Sequence, residues 1–333
     1  MRATSMKVRH LRIIPNVLKR GTGHEDSVNY FFLILAGCAM SHHNLSKLQT
    51  DSSWANEMQM RHITVNGVNL RYLAMGDGAP LVLIHTLRTQ LEYFNKIIPE
   101  LAKHFKIYAL DLPGHGFSDI PDVAYTEPYY TKSVQIFLER LDLQNVTLVG
   151  ESIGATIALS LGAKNENNRI TKIFALNPYD YAEGGAGGIK RSSWLSRAVF
   201  ATMEWPGIGW IVSRSENKLI LGHILKGGFS DPDHLPEDLL DLFNRVGFRK
   251  GYRRAEKSTF NHWKSWVDAR AEYDAIDIPV ILVYGDSDWS RATERLANHE
   301  KIKQSQLITL ESTGHFSSLD SPDRVIKIIL DHN

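Results

Sequence analysis

One hydroxyl in this 333-residue chain stands where a nucleophile would be useful. Ser152 sits between glycines in Gly150-Glu151-Ser152-Ile153-Gly154, after the apolar run "VTLVG" and at the start of the small, apolar run "IGATIALSLGA". The first run has the composition of a buried strand and the second that of a helix, so the pattern reads as a sharp strand-to-helix turn. Such a turn holds its central residue at strained backbone angles, and side chains at the flanking positions would clash, which glycine relieves. The hydroxyl is then displayed at a helix N-terminus, where unpaired backbone N–H groups and the helix dipole favour developing negative charge.

A serine hydroxyl is a weak nucleophile until a base removes its proton and a third group orients that base. Partners are therefore sought at the C-terminal ends of later strands. "VYGDSDW" ends one such strand and offers Asp286 and Asp288, while "STGHFSSLDSP" follows the last strand and offers His315. Each has a plainer reading alone: Ser152 as a small residue that fits a tight turn, His315 as one of 14 histidines. Their joint placement after strands is what points to acyl-transfer chemistry.

The elements that must position these groups alternate along the chain. "HITVNGVNLRYLAM" reads as two strands around Asn66-Gly67, a strong hairpin signal. Buried strands are expected at 80–85 and 106–112 and further strands at 146–150, 170–177, 279–285 and 305–310, with helices at 91–105, in "PYYTKSVQIFLERL", in "IGATIALSLGA", from about Arg291 and in "PDRVIKIILDH". Strands alternating with helices imply a parallel sheet covered on both faces. From about Tyr181 to Arg270 the rhythm stops, and helical stretches rich in aromatics (Trp194, Trp205, Trp210, Phe243 and others) interrupt the sheet domain as an insertion.

With these motifs in hand, the chain resembles the α/β-hydrolase superfamily, particularly its capped branch of esterases, C–C hydrolases and relatives. The resemblance runs from about residue 61 to 332 and rests on the Ser152 elbow, "LVLIHTLRT", "LDLPGHGFSD", "LVYGDSD" and "GHFSSLDSPDRV". It implies an α/β fold: a mostly parallel, doubly wound sheet with an N-terminal hairpin and an inserted helical cap. The organisation expected is an arm at 1–57, core at 58–180, cap at 181–270 and core again at 271–333. The chain order Ser, Asp, His is the order this family uses. By position, Ser152 is implied as nucleophile, His315 as general base and acid, and Asp288 as the acid, with Asp286 the runner-up. The amides of Ile153 and Leu87 are implied as the oxyanion hole, although Thr86 stands where the family usually has glycine. His85, Asp111 and His115 are read as structural supports of their turns.

Composition limits the rest. A formal net charge of +1 with both signs mixed along the chain supplies no field to gather nucleic acid. The lone cysteine, Cys38, rules out an intrachain disulfide or thiol metal cluster. It ends "YFFLILAGC", which resembles the lipobox of bacterial lipoprotein signals and is too short to span a bilayer as a helix. A cytoplasmic location is expected, the alternative being a lipoprotein anchored through Cys38. On the first reading, residues 1–57 are a flexible arm, or an upstream extension that is not translated, with the true start at Met40, Met58 or Met60. "GGAGGIKRSS" misses the phosphate-loop spacing, and no H-E-x-x-H occurs, so neither metal nor cofactor is expected.

The function expected is a serine hydrolase that cleaves a carboxylic ester of a small or medium apolar acid, with a small-molecule ester as its partner. C–C bond hydrolases, lactonases and amidases share the same triad. Epoxide hydrolases and haloalkane dehalogenases use a carboxylate nucleophile where this chain has Ser152. A non-catalytic ligand receptor on the same fold is the alternative from another class.

Overall fold

The structure, a computed structural model, describes residues 60–165, 167–181, 188–192 and 218–333. Cys38 with the 1–57 arm, and Trp194, Trp205 and Trp210, lie outside the described residues. Among the described residues, no helix is long and apolar enough to cross a membrane.

Eight strands form one sheet in the order β1-β2-β4-β3-β5-β6-β7-β8. Strands β1 (Met60–Val65) and β2 (Val68–Met75) are the expected antiparallel hairpin, closed by Asn66 and Gly67 at φ 50° and 78°. Both angles lie in the left-handed region that a two-residue hairpin turn with Asn-Gly provides at low cost. β2 also runs antiparallel to β4 (Lys106–Leu110). The other pairings are parallel and join β4, β3 (Pro80–Ile84), β5 (Val146–Glu151), β6 (Ile170–Leu176), β7 (Val280–Gly285) and β8 (Ser305–Leu310). Every residue of β5 and β7 is buried, because helices cover both faces of a parallel sheet and the strands then need no polar side.

The stretch 91–105, expected as one helix, is instead a 3-10 turn at Leu91–Phe94 and a short α1 at Ile98–Leu101. Pro99 is the reason, since it lacks the N–H that a continuous helix would need and its ring crowds the preceding turn. Helix α2 (Glu127–Arg140) starts where the Thr126 hydroxyl accepts a hydrogen bond from the Tyr129 amide at 3.3 Å. It buries Tyr130, Val134, Phe137 and Leu138, the spacing of one helical face. Helix α3 (Ile153–Ala163) packs against β5 and β6 and is buried on nearly all sides, which its small apolar residues permit.

Between β6 and β7 no strand occurs among the described residues. There lie α4 (Ile189–Ser192), α5 (Lys218–Lys226), α6 (Glu237–Val246), α7 (Tyr252–Asn261) and α8 (Trp263–Asp268). This block is bonded to the segment that follows β4: Arg249 donates to the carbonyls of Gly116 and Ser118, and the Ser258 hydroxyl accepts from the Tyr125 amide at 3.1 Å. The chain then closes the sheet with α9 (Ala292–Lys301) before β8, and α10 (Ser317–Asp320) and α11 (Pro322–Asp331) after it.

A buried cluster fixes the segment after β3. The Arg71 guanidinium donates to Glu92 at 2.8 and 2.7 Å and to Asp111 at 2.6 Å, while Asp111 also accepts from the Leu91 and Phe117 amides at 2.9 and 2.7 Å. Three buried charges are tolerable here because each is multiply hydrogen-bonded. Removing one partner would leave an uncompensated charge in the interior.

Candidate active site

The turn between β5 and α3 has the geometry that its glycines foreshadow. Ser152 takes φ 58° and ψ −118°, a conformation that costs a non-glycine residue energy and persists only where the surroundings enforce it. A Cβ on Gly150 would stand 2.1 Å from the Gly154 carbonyl oxygen, and one on Gly154 would stand 2.1 Å from that of Ile84. The absent side chains let the start of α3 press against the end of β3. The Ser152 amide donates to the Leu176 carbonyl at 2.9 Å, tying the turn to β6 as well.

Three side chains meet there in one line. The Ser152 hydroxyl is 2.9 Å from His315 Nε2, and His315 Nδ1 is 2.5 Å from Asp288 Oδ1. All three are buried, His315 wholly so. Burial would raise the Asp288 carboxyl, but the adjoining His315 and hydrogen bonds from His315 and Ser290 outweigh it and hold Asp288 below its ordinary range. Its second oxygen accepts from the Ser290 amide at 2.9 Å and from the Ser290 hydroxyl. Arg295 in turn donates to the Ser290 hydroxyl at 2.8 Å, so the acid stands on a supported turn.

Asp286 is placed elsewhere. Its carboxylate is exposed and accepts from the Ser312 amide at 2.9 Å and the Thr313 amide at 3.2 Å. The strand ends at Gly285, and the Asp288 amide bonds the Gly285 carbonyl at 3.2 Å. The chain therefore turns at once, and the alternation of an extended segment does not carry the two aspartates to one side.

Ile153 is the first residue of α3, where an amide has no intrahelical acceptor. Leu87 lies in the segment after β3, where the Thr86 carbonyl accepts from His85 Nδ1 at 2.7 Å and from the Thr89 hydroxyl at 2.9 Å. The left-handed turn there falls on Arg88, at φ 67°, whose guanidinium pairs with Glu256 at 3.2 Å. His85 Nε2 accepts from the Leu112 amide at 3.0 Å. Burial pushes His85 down to about 4 and His115 to about 3, so both are neutral in ordinary conditions and support the segment without charge.

Several residues around this line are not evident from motifs. The Trp289 ring stacks on His315, with centroids 4.0 Å apart and planes 16° from parallel. Asn177, after β6, donates to the His315 carbonyl at 2.9 Å and accepts from the Gly285 amide at 2.9 Å. Gly228 of the inserted block accepts from the His315 amide at 2.6 Å, and Trp289 donates to the Gly227 carbonyl at 3.1 Å. Trp289 adjoins the acid in sequence, which is a signal of sorts, whereas nothing local marks Asn177 or Gly228. Among the described residues, no cluster of His, Cys, Asp and Glu is arranged to hold a metal.

Chemically, the arrangement is a hydroxyl beside an imidazole whose far nitrogen is held by a carboxylate, at a helix start. Residues 79–196 match the family model of the alpha/beta hydrolase fold. The chain is 25% identical over 264 residues to a pimeloyl (acyl-carrier protein) methyl ester esterase of Aeromonas hydrophila, covering 76% of this chain and 95% of that protein. It is 26% identical over 182 residues to a haloalkane dehalogenase of Agrobacterium fabrum, covering 54% of this chain and 57% of that one. Its fold is that of the enol-lactonase from Burkholderia xenovorans, with a TM-score of 0.67, 21% identity, and coverage of 81% of this chain and 98% of that one.

Proposed function

This chain belongs to the α/β-hydrolase superfamily, and we propose that within it the protein is a serine hydrolase acting on a carboxylic ester of a small to medium apolar acid. The observation that carries this reading is the Ser152–His315–Asp288 line, with 2.9 and 2.5 Å between successive partners. Relatives of known activity are hydrolases, and one of them is an ester hydrolase. A dehalogenase or epoxide hydrolase reading is disfavoured because the elbow residue is a hydroxyl, not a carboxylate.

In the proposed reaction His315 takes the Ser152 proton as the hydroxyl attacks the ester carbonyl, and Asp288 holds the resulting imidazolium. The amides of Ile153 and Leu87 receive the oxyanion; losing one such donor typically costs about 100- to 1000-fold in rate. His315 passes its proton to the departing alcohol. Water, activated by the same imidazole, then releases the acid and restores the serine. In this reading the helices inserted between β6 and β7 act as a cap that excludes water and sizes the acyl pocket, which the hydrogen bond from the His315 amide to the Gly228 carbonyl supports.

Hydrolysis of p-nitrophenyl esters of increasing acyl length, by the intact protein and by Ser152→Ala, tests this directly. Turnover that collapses in the variant by on the order of a million-fold supports the reading, and the preferred length sizes the pocket. If no ester is turned over but a fluorophosphonate labels Ser152, a C–C hydrolase or lactonase takes its place. Absence of both turnover and labelling would leave a ligand receptor.

A further inference from the structure

Glu151 is the last residue of β5, immediately before Ser152, and is wholly buried. A carboxyl in such a place needs partners, and those it has come from other strand ends. The Ser318 hydroxyl donates to Glu151 Oε2 at 2.5 Å, and the Ser318 amide approaches both carboxyl oxygens at 3.3 and 3.4 Å. Ser318 lies three residues beyond His315, at the start of α10. The Tyr93 hydroxyl lies beside the same carboxyl, though without the alignment of a full hydrogen bond. Its ring meets Phe316 edge-on at 6.2 Å, and Phe316 meets His315 at 5.3 Å. Tyr93 stands in the 3-10 turn that follows the segment bearing Leu87. One side chain thus touches the three segments that hold the nucleophile, the base and an oxyanion donor.

From this geometry we propose that Glu151 is a positioning residue of the acyl-transfer site, locking the His315 segment and the Leu87 segment to the strand end that carries Ser152. The proposal rests on the serine hydrolase reading above. It works with the carboxyl uncharged. Burial pushes Glu151 up to about 8, against the Ser318 hydrogen bonds and the neighbouring Tyr93 hydroxyl, which favour the anion. A second negative charge buried beside Ser152 would oppose the oxyanion that develops there. Ionisation of Glu151 therefore slows acylation as pH rises through that value. The other titratable groups at the cluster are Tyr93, which burial raises well above its ordinary value, and Asp320. Asp320 accepts from the Ser230 amide and pairs with His234 of the inserted block, and Lys96 donates to the Leu319 carbonyl at 2.9 Å.

The test is the rate at which a fluorophosphonate labels Ser152 from pH 6 to 10, in the intact protein and in Glu151→Ala, Glu151→Gln and Ser318→Ala, with the thermal midpoint recorded for each. Misplacement by about 1 Å costs on the order of 100-fold, so Glu151→Ala should label roughly 10- to 100-fold more slowly. Glu151→Gln, which keeps the shape and an uncharged donor, should recover most of that loss and lack the decline above about pH 8. Ser318→Ala removes a donor that favours the anion and should move the decline to higher pH. A Glu151→Gln profile that retains the alkaline decline of the intact protein overturns the proposal while leaving the serine hydrolase reading in place. Failure of the intact protein to label at Ser152 overturns both. A merely structural Glu151 would shift the thermal midpoint without moving the pH profile.

Discussion

Trp289 lies flat on the ring of His315, its indole 4.0 Å from the imidazole centroid, while its Nε1 donates to the Gly227 carbonyl at 3.1 Å. The imidazole is thus clamped between Asp288, Ser152 and an aromatic face that is itself pinned by the inserted block. An aromatic pair of this kind is worth about 0.5–1.5 kcal/mol beyond area burial, and an aromatic face also favours a cation placed over it. Trp289→Ala should therefore lower kcat by about 3- to 10-fold on the best p-nitrophenyl ester, with Trp289→Phe recovering most of it. Unchanged kcat in Trp289→Ala would show that the stack does not steady the imidazole.

Two aspartates two residues apart offer a clean comparison. Asp288→Asn keeps the volume but removes the charge that faces His315 Nδ1 at 2.5 Å. The loss expected in kcat is on the order of 10,000-fold, as when the acid of a Ser-His-Asp set is neutralised. Asp286→Asn touches an exposed carboxylate that accepts from the Ser312 and Thr313 amides and the Ser287 hydroxyl. Its effect should appear in thermal stability and stay below about threefold in kcat, as for a surface group outside the site. Equal losses in the two variants would contradict the placement of the acid.

Which parts of this architecture are legible in sequence follows from how local their causes are. Strand β7 at Val280–Gly285 and helix α3 at Ile153–Ala163 coincide with the apolar runs that foreshadow them, because buried parallel strands and a buried helix need no polar face. The stretch 91–105 is less legible: its helical spacing is real, but Pro99 divides it. Asp288 and Asp286 are both acceptable acids to a reader of "GDSD", and only the immediate turn after Gly285 separates them. The roles of Asn177, Gly228 and Glu151 come from partners far along the chain. Glu151 meets Ser318 across 167 positions and Asn177 meets the His315 carbonyl across 138, beyond the reach of any local pattern. Close approach leaves a fainter trace, as a glycine. Gly228 is one such case, since a Cβ there would stand 2.5 Å from the Phe316 ring.

The buried imidazoles predict how the fold responds to acid. His85 and His115 are depressed to about 4 and about 3 by burial, against an ordinary value of 6.5. Below about pH 6.5 the unfolded chain therefore binds protons that the folded chain refuses, and stability falls as pH falls. The loss continues until the folded values are reached, with each histidine contributing about 1.4 kcal/mol per pH unit within its window. Buried Glu151 and Asp180, raised to about 8 and about 6, act in the opposite sense as pH rises through those values. The measurement is the slope of unfolding free energy, from urea titrations between pH 4.5 and 6. His115→Phe, which keeps an aromatic ring among Tyr130 and Tyr252, should reduce that slope by about 1 kcal/mol per pH unit. An unchanged slope would mean that His115 already takes up its proton in the folded protein.

A close backbone approach at the site supplies a severe substitution. A Cβ on Gly154 would sit 2.1 Å from the Ile84 carbonyl oxygen and 2.8 Å from that of His85. These are main-chain atoms at the end of β3, where Ile84 is bonded into the parallel ladder beside β5, so neither can swing aside as a flexible side chain would. Relief requires α3 to withdraw from β3, which moves the Ile153 amide away from the segment that carries Leu87. Ordinary overpacking costs about 1–3 kcal/mol, and Gly154→Ala should exceed that range in urea unfolding. Any folded fraction should label with fluorophosphonate at least about 100-fold more slowly than the intact protein, since about 1 Å of misplacement is enough for such a loss. If Gly154→Ala folds with native stability and labels at the native rate, α3 and β3 are not held in close contact at Gly154.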